Sequence, residues 1–178
     1  VWSYITQNKG FLKRTLDYLS FAFSAFWIAL FKKTDVVIAT SPQFFTTWTG
    51  WALSKIKRVP WVFELRDLWP ESIKTVGALK DGLVYNMLER VELALYRSAD
   101  LVVPVTDAFK ENLKKRGIPE NKQLVIPNGS NLELFDKRRY NGQVRNNLRL
   151  DDKFIVGYIG THGMAHSLDL ILNSIASL

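Results

Sequence analysis

A segment in the first half of the chain joins the pattern of a buried strand to a group of polar side chains. Residues 60–65 form an apolar, β-prone run, and Arg66, Asp67, Trp69 and Glu71 follow it. Open α/β sheets build ligand sites at the carboxyl ends of their strands, so we expect these residues to line such a site. There Asp67 and Arg66 could position a polar substrate and stabilise charge that develops on it. The alternative is a surface loop in which both residues form a solvated turn.

Small or polar residues also follow the other predicted strands of this region. They are Thr40-Ser41, Thr106-Asp107 and Asn128-Gly129. Because the carboxyl ends of parallel strands share one edge of a sheet, we expect these residues to converge on the cleft that contains Asp67. Ser41 and Asn128 are therefore candidate cleft residues, whereas Thr106 is better explained as the cap of the following helix. Trp69 could stack on a sugar or a base, or it could seal its loop against the core.

A second candidate site is a glycine-containing loop near the carboxyl end of the chain. Gly160, Thr161 and Gly163 lie between a predicted strand and a predicted helix. Glycine lets a backbone approach a ligand closely, and the first turn of a helix offers unpaired N–H groups to a phosphate. We therefore expect this loop to bind phosphate, mainly through the backbone of Gly160 and Gly163. His162 and His166 could also donate to a phosphate, or they could simply lie on the surface.

The composition argues against several other kinds of chemistry. The chain has no cysteine, which excludes disulfides and thiolate metal sites, and it has only two histidines. No Gly-x-Ser-x-Gly elbow is present, and no Asp-x-Asp pair follows a strand, so hydrolase and metal-bridged nucleotide-sugar chemistry are disfavoured. We therefore expect neither a metal nor a cofactor. A leaving phosphate would be neutralised by backbone amides, Arg or Lys.

The chain carries a formal net charge of +7, distributed over small basic groups. It contains no long basic tract and no aromatic RNA-binding strand, so nucleic-acid binding is disfavoured. The positive charge suits an anionic membrane surface and a phosphorylated ligand equally well.

Strands alternate with helices along the whole chain. We predict strands at Asp35–Ala39, Trp61–Leu65, Leu101–Val105, Leu124–Ile126 and Phe154–Ile159. We predict helices at Phe11–Phe31, Phe44–Ile56, Leu83–Arg97, Ala108–Arg116 and Ser167–Leu178, with a loop at Arg66–Asp81. This alternation is typical of α/β domains with parallel sheets covered on both faces. Polar residues dominate 131–152, which indicates a crossing between a domain at 1–130 and a second one that starts at 153.

The helix predicted at 11–31 is unusually rich in aromatic residues, and its apolar residues cover most of its circumference. Its longest uninterrupted apolar part is too short to span a bilayer, and Asp17 lies within the predicted helix. With Lys13-Arg14 and Lys32-Lys33 at its ends, it could lie in a membrane interface. It could equally be a core helix packed between a sheet and a second layer.

Taken together, the sequence resembles family 4 glycosyltransferases of the GT-B fold. The motifs that carry the resemblance, in order along the chain, are Asp35-Val-Val-Ile-Ala-Thr-Ser-Pro42, Phe63-Glu-Leu-Arg-Asp-Leu-Trp-Pro-Glu-Ser72, Glu92-Leu-Ala-Leu-Tyr-Arg-Ser-Ala-Asp100, Val125-Ile-Pro-Asn-Gly129 and Gly157-Tyr-Ile-Gly-Thr-His-Gly163. The segment from Arg66 to Ser72 is similar to that of the fucosamine-type transferases of bacterial surface-polysaccharide assembly.

The resemblance implies two Rossmann-like domains, the first binding mainly the acceptor and the second the nucleotide-diphosphate sugar. It also implies a metal-independent, hexosyltransferase-type reaction with retention of anomeric configuration. The acceptor would be a polyprenyl-linked glycan of lipopolysaccharide, O-antigen or capsule synthesis. The protein would be cytoplasmic and peripheral on the inner face of the cytoplasmic membrane. Two alternatives are a nucleotide-sugar epimerase of the same fold and a non-catalytic membrane or polysaccharide-assembly binding module.

The chain departs from the family pattern at several positions. Arg66 stands where many relatives have His, and a guanidinium is a poor general base. Thr161 and His166 stand where relatives commonly have the phosphate-binding Arg and Lys. We also expect the chain to be an internal, inactive piece, with its glycine-rich first loop before Val1 and the donor-site carboxylates beyond Leu178.

Overall fold

The computed structural model describes residues 1–6, 11–75, 77, 80–136, 138, 140–150, 153–162 and 166–175. The chain divides into two compact units, Val1–Asn128 and Gly129–Leu178. The first unit contains α1 (Phe11–Leu30), β1 (Val37–Thr40), α2 (Phe44–Lys57), β2 (Trp61–Leu65), α3 (Glu71–Thr75), α4 (Leu83–Ser98), β3 (Leu101–Pro104), α5 (Asp107–Lys115) and a 3₁₀ turn (Glu120–Lys122). The second contains α6 (Gln143–Asn147) and α7 (Leu168–Ile175). The predicted domain boundaries stay a prediction.

The first unit is built on a parallel sheet with the strand order β1-β2-β3. The central strand alternates regularly, because Trp61, Phe63 and Leu65 are buried while the residues between them are half-buried. That alternation directs the large side chains of β2 to the face on which the helices pack. The α/β fold with a parallel sheet is therefore confirmed, and the predicted strands at β1, β2 and β3 are formed with small shifts of their ends.

The core lies between this sheet and the helices α4 and α5, and partly buried residues of α2 pack against it. Its buried members are Ala39, Trp61, Phe63, Leu65, Leu95, Tyr96, Ala99, Val102, Leu113 and Ile118. The Trp61 indole N–H donates to the carbonyl of Ser98 at 2.9 Å, which ties the start of β2 to the end of α4. Gly50 on α2 faces Ala39 on β1 so closely that an added Cβ would lie 2.5 Å from the Ala39 Cβ. A glycine is needed there for α2 to reach the sheet.

The aromatic helix α1 packs along α2. The Thr49 hydroxyl donates to the carbonyl of Ala22 at 3.3 Å, and Lys57 donates to that of Leu30 at 2.9 Å. One side of α1 is therefore a packing surface, as the core-helix interpretation requires. Its other side exposes large apolar side chains, including Phe23 (67%). Among the described helices, none is both long enough and apolar enough to cross a membrane.

Helix α5 lies between its predicted cap and its predicted terminating glycine, but both ends are one residue earlier than predicted, at Asp107–Lys115 instead of Ala108–Arg116. The side chain of Thr106 accepts a hydrogen bond from the backbone N–H of Phe109 at 3.2 Å, so Thr106 is the N-cap. Gly117 follows the helix with a φ of +79°, a conformation that favours glycine. The capping interpretation of Thr106 is confirmed.

The predicted loop Arg66–Asp81 is not wholly irregular, because α3 forms within it. Pro70 lies directly before α3, where its missing N–H costs no helical hydrogen bond. Its carbonyl accepts from the N–H of Lys74 at 3.1 Å, and that of Leu68 accepts from Ser72 at 2.7 Å. The sequence of this segment was typical of a loop and did not indicate this single helical turn.

The predicted strand Leu124–Ile126 is reduced to an isolated bridge between Gln123 and Val102. The N–H groups of Leu124 and Ile126 still donate to the carbonyls of Val102 and Pro104, both at 3.1 Å. The return hydrogen bond would have to come from the N–H of Pro104, which proline lacks. The ladder is therefore interrupted, although the chain runs beside β3 as expected.

In the second unit the predicted strand Phe154–Ile159 is not formed. A strand needs a partner for its backbone groups, and none of the described residues of this unit forms a ladder with it. Its apolar side chains are accordingly exposed, Phe154 to 95%. The helix predicted from Ser167 is confirmed as α7 over its described residues, and the turn of α6 lies in the region predicted as a crossing.

Candidate active site

Ser41 joins the ends of two neighbouring strands. It follows β1 and is only 5% exposed. Its hydroxyl oxygen accepts from the backbone N–H of Arg66 at 3.0 Å and from that of Asp67 at 3.3 Å. The hydroxyl hydrogen can donate to the carbonyl of Asp67, also at 3.3 Å. One buried side chain therefore fixes the backbone on which both predicted catalytic residues stand.

Asn128 brings a third strand end into the same group. The Arg66 guanidinium donates to the Asn128 side-chain oxygen at 3.1 Å, across 62 positions of sequence. The predicted convergence is therefore observed for Ser41, Arg66, Asp67 and Asn128. Thr106, at the fourth predicted strand end, caps α5.

A small cavity lies beside Asp67. Its lining residues are Ser41, Pro42, Phe44, Thr47, Phe63, Asp67, Trp69, Glu92, Leu95 and Tyr96. It has room for about one water molecule, so it can hold a single polar group but not a sugar ring. Trp69 stacks on Phe44 with ring centroids 4.4 Å apart and planes inclined by 30°. One face of the indole is therefore covered, which favours the sealing role for Trp69 over stacking on a ligand.

Glu71 lies at the start of α3 rather than on the lining of this cavity. Its carboxylate accepts a hydrogen bond from the side-chain amide of Asn112 on α5 at 3.4 Å. We therefore attribute to Glu71 a contact that joins α3 to α5. Its predicted place in the cleft stays a prediction.

A buried group of charged residues on α4 and at the C-cap of α5 was not predicted from the sequence. Glutamates are usually exposed on the polar face of a helix, but Glu92 of α4 is only 3% exposed. The Tyr96 hydroxyl donates to its carboxylate, and Arg116 donates to it at 2.5 Å. Arg116 also reaches Glu89 at 3.3 Å. The sequence did hold a signal, because Glu92 shares the helical face of Leu95, three residues later.

Burial dominates the ionisation of this buried group. It raises the pKa of the Glu92 carboxyl, and the Tyr96 hydroxyl and the Arg116 guanidinium offset only part of that rise. Burial and the charge of Glu92 together raise the pKa of Tyr96 well above its ordinary value, so Tyr96 stays a hydrogen-bond donor. Burial has the largest single effect on Arg116 and would lower its pKa, but the charge and hydrogen bond of Glu92, with Tyr96 and Glu89, together outweigh it and the net pKa is raised.

The glycine loop of the second unit is exposed, and Tyr158 folds over it. The Tyr158 hydroxyl donates to the carbonyl of Thr161 at 2.8 Å. A Cβ built on Gly160 would lie 3.0 Å from that hydroxyl oxygen, so a larger residue would displace the ring. The Tyr158 and His162 rings lie 5.9 Å apart. Gly163 lies outside the described residues, and phosphate binding by this loop stays a prediction.

Residues 8–129 match the Glycosyl transferase 4-like domain. The chain belongs to this family. Over 159 residues it is 27% identical to WbjE of Pseudomonas aeruginosa, a probable glycosyltransferase, and the match covers 88% of this chain and 40% of WbjE.

This glycosyl transferase 4-like chain is also similar in fold to solved structures of HepE (Alr3699) from Anabaena. The complex of HepE with UDP-glucose matches with a TM-score of 0.67 and 19% identity over 94% of this chain and 42% of HepE. The complex with UDP and glucose matches with a TM-score of 0.68 and 20% identity over the same shares. These likenesses confirm the GT-B fold. The chain spans less than half the length of WbjE and of HepE.

The family match includes the cluster around Ser41 but not the glycine loop. Residues 8–129 contain Ser41, Asp67 and Glu92, whereas Gly160 lies beyond them. The strand-end cluster of the first unit therefore lies within the glycosyl transferase 4-like region. Among the described residues no cluster of side chains suitable for a metal ion is found, and metal independence stays a prediction.

Proposed function

We propose that the full-length protein is a metal-independent, retaining glycosyltransferase of the hexosyltransferase type. It transfers a sugar from a nucleotide-diphosphate sugar to a polyprenyl-linked glycan in cell-surface polysaccharide synthesis. The observation that carries the proposal is the family match over residues 8–129, which contain the cluster held by Ser41. The printed name of WbjE and the UDP-glucose bound to HepE support a sugar-transferring activity and a nucleotide-sugar donor.

In this proposal Asp67 and Arg66 act on the acceptor side. Asp67 is half-buried, so its carboxylate can accept a hydrogen bond from an acceptor hydroxyl and orient that oxygen for attack. Arg66 is exposed and keeps spare N–H groups beyond its contact with Asn128, so it can stabilise negative charge near the reacting atoms. In the second unit the loop that contains Gly160 and Thr161 would receive the donor phosphates through its backbone.

The lipid-linked acceptor suggests a role for the exposed side of α1. Its outward apolar stripe, called the α1 stripe below, consists of Leu12, Leu16, Leu19, Phe23 and Trp27. These residues recur at intervals of three or four and therefore share one helical face. Lys13-Arg14 lie in the first turn of α1 and Lys32-Lys33 lie just beyond its end, and these cations would attract anionic lipid head groups. We propose that this stripe rests on the inner surface of the cytoplasmic membrane, where polyprenyl-linked glycans would be accessible.

The transferase proposal is tested with the full-length protein, a nucleotide-diphosphate sugar and membranes that contain lipid-linked glycans. The readout is acceptor-dependent release of nucleoside diphosphate. We expect Asp67→Asn and Arg66→Ala each to lower turnover by about a hundredfold or more, because small losses of positioning are costly in rate. Asp107→Asn is the matched control, since Asp107 follows β3 as Asp67 follows β2 but lies in the first turn of α5.

Three outcomes would contradict the proposal. Wild-type turnover in both site variants would remove Asp67 and Arg66 from the chemistry. Absence of nucleoside diphosphate release with every donor and lipid acceptor would exclude sugar transfer and favour a binding module. Sugar interconversion without any acceptor would instead identify an epimerase.

A further inference from the structure

Glu92 is a carboxylate buried where packing alone would favour an apolar side chain. It lies on the core-facing side of α4, 3% exposed, between the half-buried Leu88 and the buried Leu95. Burying a charge is costly unless it is paired, and replacing a buried ion pair by apolar residues is often neutral or stabilising. Stability alone therefore does not explain why a charged, paired glutamate occupies this position.

The position of Glu92 relative to the strand-end cluster provides an explanation for its presence. Glu92 and Tyr96 line the same small cavity as Ser41 and Asp67. The Tyr96 ring packs edge-on against Phe63 of β2, with centroids 4.7 Å apart. The charge of Asp67 contributes to the raised pKa of Tyr96, so the two groups are within electrostatic reach. The buried group thus extends from the helices to the cavity that Asp67 also lines.

We propose that Glu92 is a positioning residue for Asp67 in the transferase reaction. Ser41 holds the backbone of the catalytic segment by hydrogen bonds from the side of β1. The Glu92–Tyr96 pair would restrict the Asp67 side chain across the cavity that they line together. Arg116 keeps the Glu92 carboxylate in place by its hydrogen bond. Glu92 itself would touch neither donor nor acceptor. This inference rests on the proposed function, because Asp67 is assigned its role there.

The groups that face Glu92 define a matched control. Tyr96 and Glu89 approach from α4, Arg116 from the C-cap of α5, and Asp67 from the segment after β2. Glu89 binds the same guanidinium nitrogen as Glu92, but its side chain is 35% exposed and it does not line the cavity. Glu89→Gln therefore removes a similar charge beside Arg116 without changing the lining of the cavity beside Asp67.

Hydrogen–deuterium exchange of the full-length protein tests the positioning directly and needs no activity. Glu92→Gln keeps the shape of the side chain but removes its charge. We expect amides of residues 66–69 to exchange about tenfold faster in this variant, while those of β3 keep the wild-type rate. Glu89→Gln should leave residues 66–69 unchanged, and Tyr96→Phe should reproduce the effect of Glu92→Gln. If Glu92→Gln does not fold, Tyr96→Phe decides the question alone.

Kinetics of the same variants give the second readout. We expect Glu92→Gln to lower kcat by about tenfold with an unchanged KM for the nucleotide sugar, because Asp67 is misplaced while the donor site is intact. Wild-type exchange at residues 66–69, or faster exchange spread equally over α4 and β3, would overturn the inference. If the wild-type protein transfers no sugar, the proposed function fails, and the exchange result still decides whether Glu92 positions Asp67.

Discussion

Ser41→Ala tests whether a single hydroxyl organises the strand-end cluster. The substitution removes the acceptor of the N–H groups of Arg66 and Asp67, at 3.0 and 3.3 Å, and leaves the strands themselves unaltered. A buried donor left without an acceptor costs about 1–3 kcal/mol. Arg66 is exposed and its N–H can partly recover by binding water, and the 3.3 Å contact is at the long end of the hydrogen-bond range. We therefore expect the free energy of unfolding to fall by about 2 kcal/mol.

Ser54→Ala is the matched control for this experiment. Ser54 is as buried as Ser41, at 3% exposure, but its hydroxyl donates to the carbonyl of Trp51 within α2 at 2.9 Å. That carbonyl already accepts the ordinary helical hydrogen bond, and alanine favours the helix more than serine does. We expect a loss of at most about 0.5 kcal/mol in this variant.

Both variants are compared by urea denaturation followed by circular dichroism, and by turnover of the full-length protein. Ser41→Ala should be the less stable variant and should lower turnover, because the backbone of Asp67 loses its anchor. Ser54→Ala should match the wild type in both measurements. Equal stabilities of Ser41→Ala and Ser54→Ala would refute the reasoning, since they would mean that the hydroxyl of Ser41 does not restrain the segment after β2.

Much of the first unit could be predicted from the sequence because its patterns are local. The alternation around Trp61 and Phe63 specifies a half-buried strand, and the threonine and glycine at the ends of α5 specify where it begins and ends. The convergence of Ser41, Asp67 and Asn128 followed from a topological rule rather than from any single residue. That rule holds whenever the strands are parallel, so the geometry of these residues was predictable.

The missed features depend on contacts that no local pattern contains. The burial of Glu92 follows from Arg116, 24 positions later, which stabilises the charge inside the core. The weak ladder beside β3 follows from one missing N–H at Pro104, a detail that an apolar run such as Leu124–Ile126 does not reveal. The strand expected at Phe154–Ile159 shows the same limit, because a strand forms only where a partner is available.

Two further predictions concern the contact of α2 with the sheet and the exposed stripe of α1. Gly50→Ala should lower the free energy of unfolding by about 1–3 kcal/mol in urea denaturation, because its Cβ would meet that of Ala39 at 2.5 Å and force α2 from the sheet. Wild-type stability of Gly50→Ala would mean that α2 does not lie so close to β1. Replacing Phe23 and Trp27 of the α1 stripe, which are 67% and 47% exposed, by serine should weaken binding of the full-length protein to anionic phospholipid vesicles in sedimentation assays. The reason is that each substitution removes about 1–2 kcal/mol of the favourable free energy of burying an apolar side chain in the membrane interface. The matched control is serine at Leu83, an equally apolar and more exposed residue (89%) at the start of α4, outside the stripe. Equal vesicle binding by the stripe variant and the wild type would show that these aromatic side chains do not contact lipid.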